Sequence, residues 1–292
     1  MLMQALTALS TRQSITMKRH KNKILLEPIN CDEIADRALL RGNIYHFNSL
    51  DSTNTWLQKN GKCGDVCISD EQTAGRGRRG NEWVSPATGN IYFSIKWCFD
   101  SPVQQMQHFS LLGLSVGIAV AEALANMGLQ NHGVKWPNDI YWQQKKMGGI
   151  LIENVSPSNN VIIGIGLNVT MPDDEISKVD QQITSLTEAL AHKEALKKPF
   201  PAIRTELLIA MIQHLTSHLT HFPALAFNDF EKDWNKWNIL KNKNVTFQRQ
   251  NKDVSATVVG LNRQGQLGLL EKDKQLHFYS SADIRLSKPL GQ

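Results

Sequence analysis

VKWPNDIYWQQKKMGGILIENVSPSNNVIIGIGLNV, residues Val134 to Val169, decides the fold. Four apolar runs stand out in it: Val134–Trp136, Ile140–Trp142, Gly149–Asn154 and Val161–Val169. They read as strands. The links QQKK and SPSNN are short and polar, too short for the dozen or so residues of a helical crossover, and so predict antiparallel hairpins.

Helices flank this block. Phe109 to Met127 reads as a helix ended by Gly128. Ile203 to Phe222 carries Leu207, Leu208, Met211, Ile212, Leu215 and Leu219 on one stripe. Ser185 and Glu188 form a capping box before a further helix. Upstream, Asp51 or Ser52 can cap a short helix through Lys59, and Cys31 to Leu40 suits another. Asn43–Phe47 and Val66–Ser69 read as strands, and Asn90–Trp97 alternates between two faces. Helices mixed with antiparallel hairpins predict an α+β fold with a mixed, largely antiparallel sheet, not a doubly wound one. From Val245 the pattern changes to VTFQ, ATVVGL, LGLL, LHFY and DIRL, separated by polar turns. Five such strands fit a small SH3-like β-barrel. The expected organisation is a basic tail with a short helix over 1–41, a catalytic-sized region over 42–240, and a barrel over 241–292.

Composition narrows the class. Of 292 residues 41% are hydrophobic and 20% charged, which supports a large core and excludes a mainly disordered chain. The net charge of +5 equals the five basic residues Arg12, Lys18, Arg19, Lys21 and Lys23, which precede the first acidic residue, Glu27. The excess is therefore a tail: a solvated terminus, a nucleic-acid arm or an address. Met17, just before KRHKNK, is a second candidate start. The apolar run Phe109–Ala121 is shorter than the ~20 residues of a membrane span and reads as a buried helix. Four cysteines are too few for a disulfide framework, which suggests a reducing cytoplasm.

Three segments could carry chemistry. GRGRRG, Gly75 to Gly80, matches G-x-G-x-x-G, but no helix pattern follows and Pro86 and Gly89 lie just downstream. A glycine turn with three arginines reads instead as a loop that closes on an anion, or as a plain basic turn. In KWPND, Pro137 and Asn138 break a strand and present Lys135 and Asp139; Lys146 stands at the entrance of the next strand. In SLDSTNTWL, Ser52, Thr53 and Asn54 gather at a helix start, where they either cap it or hold a neutral polar ligand. His214, His218 and His221 have metal-ligand spacing but fall about 95° from the apolar stripe at ~100° per residue, a solvated flank, so no metal site is expected there.

Taken together and in this order, DSTN (Asp51–Asn54), EQTAGRGRRG (Glu71–Gly80) with Trp83, KWPNDI (Lys135–Ile140), KMGGIL (Lys146–Leu151) and GIGLNV (Gly164–Val169) resemble the biotin–protein ligase family, the biotin–[acetyl-CoA-carboxylase] ligases. The resemblance runs from about Leu26 to the C-terminus. The related lipoyl ligases and octanoyltransferases share the catalytic fold but lack the arginine loop and the KWPND pairing.

The resemblance implies a class II synthetase-like catalytic domain and a two-step reaction. Biotin and Mg²⁺-bound ATP give biotinyl-5′-AMP, which acylates a lysine of the biotin carboxyl carrier protein of acetyl-CoA carboxylase. It implies that Ser52, Thr53, Asn54, Gln72, Arg76, Gly77, Arg78 and Lys146 contact biotin. Gly75, Arg76, Arg78, Arg79, Gly80, Trp83, Asn138 and Asn168 would serve the nucleotide and adenylate loop. Lys146, Arg78, Lys135 and Asp139 would carry the catalysis, with no resident protein metal site. Such an enzyme works as a monomer or homodimer, away from membranes. Some members carry an N-terminal winged helix-turn-helix; about 25 residues precede the resemblance here, so no specific DNA binding is expected. Strand residues such as Ile150 or Ile152 are expected as apolar walls for biotin. Two other readings remain, a lipoate- or octanoate-handling ligase and a nucleic-acid-binding protein. Biotin-stimulated ATP–pyrophosphate exchange separates all three.

Overall fold

The computed structural model describes residues 28–100, 109–155, 159–179, 181–191, 203–250, 252–282 and 284–286. The basic tail, Met17 and the SPS of the SPSNN link lie outside the described residues.

The chain forms a short helix α1 (Cys31–Arg37), strand β1 (Ile44–Phe47), helix α2 (Thr53–Asn60), and strands β2 (Val66–Ser69) and β3 (Ile91–Cys98). The long helix α3 (Leu112–Asn126) follows, entered through a 3₁₀ turn at Phe109–Leu111. Next come β4 (His132–Lys135), β5 (Asp139–Trp142), β6 (Lys145–Val155) and β7 (Asn160–Leu167), then the short helices α4 (Asp173–Ile176) and α5 (Leu186–Ala191). Helices α6 (Ile203–His221) and α7 (Phe227–Trp237) precede the last strands: β8 (Asn244–Arg249), β9 (Lys252–Leu261), β10 (Leu267–Glu271), β11 (Leu276–Tyr279) and β12 (Ile284–Leu286).

Seven strands make one sheet in the order β1-β2-β3-β7-β6-β5-β4. Every pairing is antiparallel except β1 with β2. The polar links thus close hairpins, and the fold is α+β. The larger core lies on one face of this sheet. Phe93, Ile95, Ile163 and Ile165 share it with α3, which buries eleven of its fifteen residues, while a smaller cluster of Leu57, Cys67 and Ile162 packs apart from it. The helix Phe109–Asn126 is long and apolar enough to cross a membrane, but here it is core. The alternation in β3 separates two covered faces: Tyr92 and Ser94 are as buried as Phe93. The second sheet, in the order β11-β10-β9-β8-β12, is the SH3-like C-terminal unit.

Two readings of the sequence change. Cys63 and Cys98 pair as a disulfide with Cα atoms 5.6 Å apart, while Cys31 and Cys67 are free. The reason is register. β2 runs antiparallel to β3 with Val66 opposite Ile95, and extending that ladder by three residues sets position 63 opposite 98. The histidine flank is not fully solvated either. His214 Nδ1 and His218 Nε2 lie 3.2 and 2.9 Å from Glu122 Oε2 on α3, and His221 alone remains exposed. The His218 hydrogen bond holds the Glu122 carboxyl below its usual range against the effect of burial. Among the described residues no group of three His, Cys, Asp or Glu could hold a metal.

At the end of β2, Asp70 receives the fully buried Arg204 of α6 and also His46 of β1 at 3.3 Å. Burial raises the Asp70 carboxyl, but hydrogen bonds and charge from His46 and Arg204 outweigh it and leave the group below its ordinary value. A depressed carboxyl stabilises the fold above the unfolded pKa, and that stability is lost as pH falls through the folded value. Asp70→Ala is therefore expected to cost about 3 kcal/mol in urea unfolding at pH 7, with the difference from wild type shrinking below about pH 4. A pH-independent difference would show that the ion pair is not its source.

Candidate active site

The open face of the sheet is built from glycine. Register places Tyr92, Gly166, Gly149 and Asp139 in one cross-strand row and Ser94, Gly164 and Leu151 in the next. At Gly164 a Cβ would stand 2.3 Å from Asn54 Oδ1, and at Gly166 2.4 Å from Trp83 Nε1. Those glycines let a helix start and an indole descend onto the sheet, and a cavity of about 650 Å³ lies beside them.

Ser52, Thr53 and Asn54 form one wall at the N-terminus of α2 and are nearly fully buried. Ser52 holds the N-cap position, yet its side chain makes no capping bond. Its hydroxyl is not spent on the helix. Thr53 N–H donates to Gln72 Oε1 at 2.9 Å, and Gln72 Nε2 donates to Ser85 Oγ at 3.0 Å. Ser94 Oγ lies 2.6 Å from Thr53 Oγ1 and donates to Asn54 Oδ1 at 2.5 Å, while Asn54 Nδ2 donates to Glu153 Oε2 at 2.7 Å.

The arginine turn is the tip of a small hairpin. Gly77 N–H donates to Asn81 O and Trp83 N–H to Gly75 O, at 2.7 and 2.9 Å. Arg79 and Gly80 turn the chain with φ of 58° and 78°. No α-helix follows, so the dinucleotide match is geometric coincidence. The hairpin folds over the cavity: Arg76 donates to Glu153 at 2.9 Å and Arg78 to Asn138 Oδ1 at 3.1 Å. Burial, then the neighbouring Arg79, lower the Arg78 guanidinium from its ordinary value, with Asp139 pulling the other way.

The far wall is charged. Lys146 Nζ lies 3.0 Å from Asp139 Oδ1 and 5.2 Å above the Trp83 ring. Lys135 pairs in register with Asp139 and donates to Tyr141 Oη at 3.1 Å. One cavity therefore joins a neutral row of donors and acceptors to a cluster of cations. That suits a ligand with a polar neutral head and an acidic tail beside phosphates.

Most residues singled out in the sequence meet here: Ser52, Thr53, Asn54, Gln72, Arg76, Gly77, Arg78, Arg79, Trp83, Lys135, Asn138, Asp139 and Lys146 all line the cavity. Gly75 and Gly80 shape the hairpin without lining it. Asn168 stands apart: it is buried, and its Nδ2 donates to Thr184 O at 3.2 Å. Of the two expected apolar walls Ile150 lines the cavity and Ile152 does not, whereas Leu151 does. Several participants carry no motif. Lys178, Val179 and Gln181 come from beyond α4, and Ser281, Ala282 and Ile284 from the C-terminal sheet. Ser94 and Glu153 could have been found only as same-face neighbours of Gly164 and Leu151 once the register was known.

Known proteins are similar to this chain. The model of the biotin/lipoate A/B protein ligase family matches residues 46–168. The bifunctional ligase/repressor BirA of Escherichia coli is 32% identical over 251 residues, covering 84% of this chain and 74% of its own length. The chain belongs to the biotin–protein ligase family. The biotin–[acetyl-CoA-carboxylase] ligase of Mycobacterium tuberculosis is 39% identical over 129 residues, 43% of this chain and 46% of its own length. The biotin protein ligase of Aquifex aeolicus, solved in complex with biotin and ATP, superposes with a TM-score of 0.66 at 27% identity, covering 84% of this chain and 99% of its own.

In this family member the glycine floor is directly testable. Gly166→Ala is expected to lift Trp83 from the sheet and lower kcat/KM for substrate activation by about 10²-fold, with thermal unfolding little changed. An unaltered kcat/KM would show that the indole does not depend on this contact.

Proposed function

We propose that the chain is an ATP-dependent biotin–protein ligase that forms biotinyl-5′-AMP and transfers biotin to a lysine of a biotin carboxyl carrier protein. The observation that carries this reading is the joining, within one cavity, of a neutral hydrogen-bonding cradle to the cation cluster around Lys146. Biotin's ureido ring is neutral and rich in donors and acceptors, its chain is apolar, and its tail is a carboxylate. The cradle, Leu151 and Lys146 match these three parts by their chemistry.

Attack of the carboxylate on the α-phosphate brings negative charges together. Fixed cations already in place stabilise that charge without reorganising. Lys146, held by Asp139, orients the carboxylate and the phosphate. Mg²⁺ enters this reading as the nucleotide's counter-ion. The carboxylates lining the cavity are Glu82 and Asp139, and Mg²⁺ typically uses one or two carboxylates alongside phosphates and water. The mixed anhydride formed in the first step hydrolyses readily, so the arginine hairpin serves as the cover that excludes water. In the second step the acceptor amine attacks the acyl carbon, AMP leaves with the bonding pair, and Asp139 is placed to help take up the amine's proton.

The arginines do not favour a nucleic-acid surface. Arg76 and Arg78 are engaged by Glu153 and Asn138 of the same site. A lipoyl group would leave the cradle's polar atoms unpaired, and that loss discriminates strongly.

ATP–pyrophosphate exchange is expected to rise with biotin and not with lipoate; exchange stimulated by lipoate alone would reassign the substrate. In that assay Lys146→Ala is expected to slow exchange by about 10²–10³-fold, the loss of one charge-stabilising donor. Arg78→Gly is expected to release biotinyl-5′-AMP faster than wild type in a chase experiment. An unchanged off-rate would remove the hairpin's role as a cover.

A further inference from the structure

Glu153 belongs to no motif of the site and does not line the cavity, yet it joins the cradle to the hairpin. Its Oε2 accepts from Asn54 Nδ2 of the cradle at 2.7 Å and from Arg76 Nη2 of the hairpin at 2.9 Å. The ion pair is half-exposed, with side-chain exposures of 29% for Glu153 and 43% for Arg76. Its value is therefore not mainly Coulombic stabilisation.

The consequence is directional. An ionised carboxylate only accepts hydrogen bonds. Asn54 must therefore turn its NH₂ toward Glu153, which leaves Oδ1 to receive the Ser94 proton at 2.5 Å. Having given its single proton away, Ser94 must accept, so the Thr53 hydroxyl donates to it across 2.6 Å. Thr53 Oγ1 then has only lone pairs left for a ligand. Gln72 Oε1, fixed by Thr53 N–H, is a second possible acceptor for the Thr53 hydroxyl at 3.2 Å, but that single proton is committed to the shorter 2.6 Å contact with Ser94. Thr53 Oγ1 and Gln72 Oε1 then both present lone pairs to an arriving N–H.

We propose that Glu153 is a positioning residue that sets the polarity of this row, so that the cradle selects a ligand presenting N–H donors, while the same carboxylate seats the hairpin through Arg76. The inference rests on the biotin–protein ligase reading, in which the N–H donors are those of the cyclic urea. Glu153 need not touch the ligand.

The test is exchange kinetics on the full chain, with biotin and ATP varied separately and thermal unfolding measured alongside. Glu153→Gln offers Asn54 an NH₂ as readily as an oxygen, which removes the fixed direction. It is expected to raise the KM for biotin by about tenfold or more, while the KM for ATP and kcat at saturating biotin stay within about twofold. Asn54→Asp alone sets two carboxylates face to face and is expected to be worse. The double variant Asn54→Asp/Glu153→Gln restores the direction, because a carboxylate at 54 accepts both from Ser94 and from the new amide, and it is expected to recover most of the biotin KM. An unchanged biotin KM in Glu153→Gln overturns the inference. So does a parallel loss in both KM values and in thermal stability that the double variant fails to repair. Biotin-stimulated exchange by wild type tests the ligase reading itself; the variant-to-wild-type ratios test Glu153.

Discussion

One face of the central sheet is left without side chains at Gly149, Gly164 and Gly166, and the remainder of the site depends on that omission. Sheet faces ordinarily carry a side chain at every second residue of each strand. Here three of those positions, on two adjacent strands, are bare. The helix α2 can therefore set Asn54 against the backbone of β7, and Trp83 can lie flat across β6 and β7. On the opposite face of the same strands Ile150, Ile152, Ile163 and Ile165 pack into the core that holds α3. Rigid packing on one side and open backbone on the other gives a fixed floor for a ligand, and fixed floors make hydrogen-bond geometry repeatable.

Electrostatics follows a similar economy. Four cations at the cavity already have partners: Lys146 has Asp139, Arg76 has Glu153, Arg78 has Asn138, and Lys135 has Tyr141. An isolated buried charge is expensive, so a site meant to receive phosphates holds its cations in exchangeable pairs. An arriving phosphate replaces a neutral or acidic partner instead of filling an uncompensated field. Asp139 is central to this because it stands between Lys135 in its own hairpin and Lys146 on the next strand.

The sequence shows the strands clearly, because their apolar runs are long and their links are short and polar. It shows the site nearly as well, because DSTN, GRGRRG, KWPND and KMGGIL are local signals whose residue types already carry the chemistry. What it hides depends on register. Ser94, Glu153 and the Cys63–Cys98 pair become neighbours only when β3 is laid beside β2 and β7 with a particular offset. A shift of one residue would send them to the other face. The parallel pairing of β1 with β2 is hidden in the same way, since α2 between them is too short to announce a crossover. Asn168 lies away from the cavity for a different reason. Its motif position is correct, but its amide is consumed by Thr184 and its backbone by Met147 and Leu186, so it holds chain segments together. The contributions of Lys178 and Ile284 carry no local signature at all, because a loop and a barrel strand gain meaning only by where they land.

The hairpin shows why the anion is met by arginines and not by a helix end. A helix N-terminus is a fixed anion site, anchored by its own length. A two-step reaction needs a cover that is closed while an activated acyl group waits and open when the acceptor arrives. The hairpin spans Gly75 to Trp83 and is pinned by single side-chain bonds, one to Glu153 on β6 and one to Asn138 in the β4–β5 turn. Bonds of this kind contribute roughly 1 kcal/mol each, or somewhat more when charged, so both can be broken on the timescale of turnover. The two anchors also have different neighbours: Glu153 binds Asn54 of the neutral cradle, and Asn138 precedes Asp139, the partner of Lys146. Closure of the hairpin therefore depends on both the cradle and the cation cluster being in order.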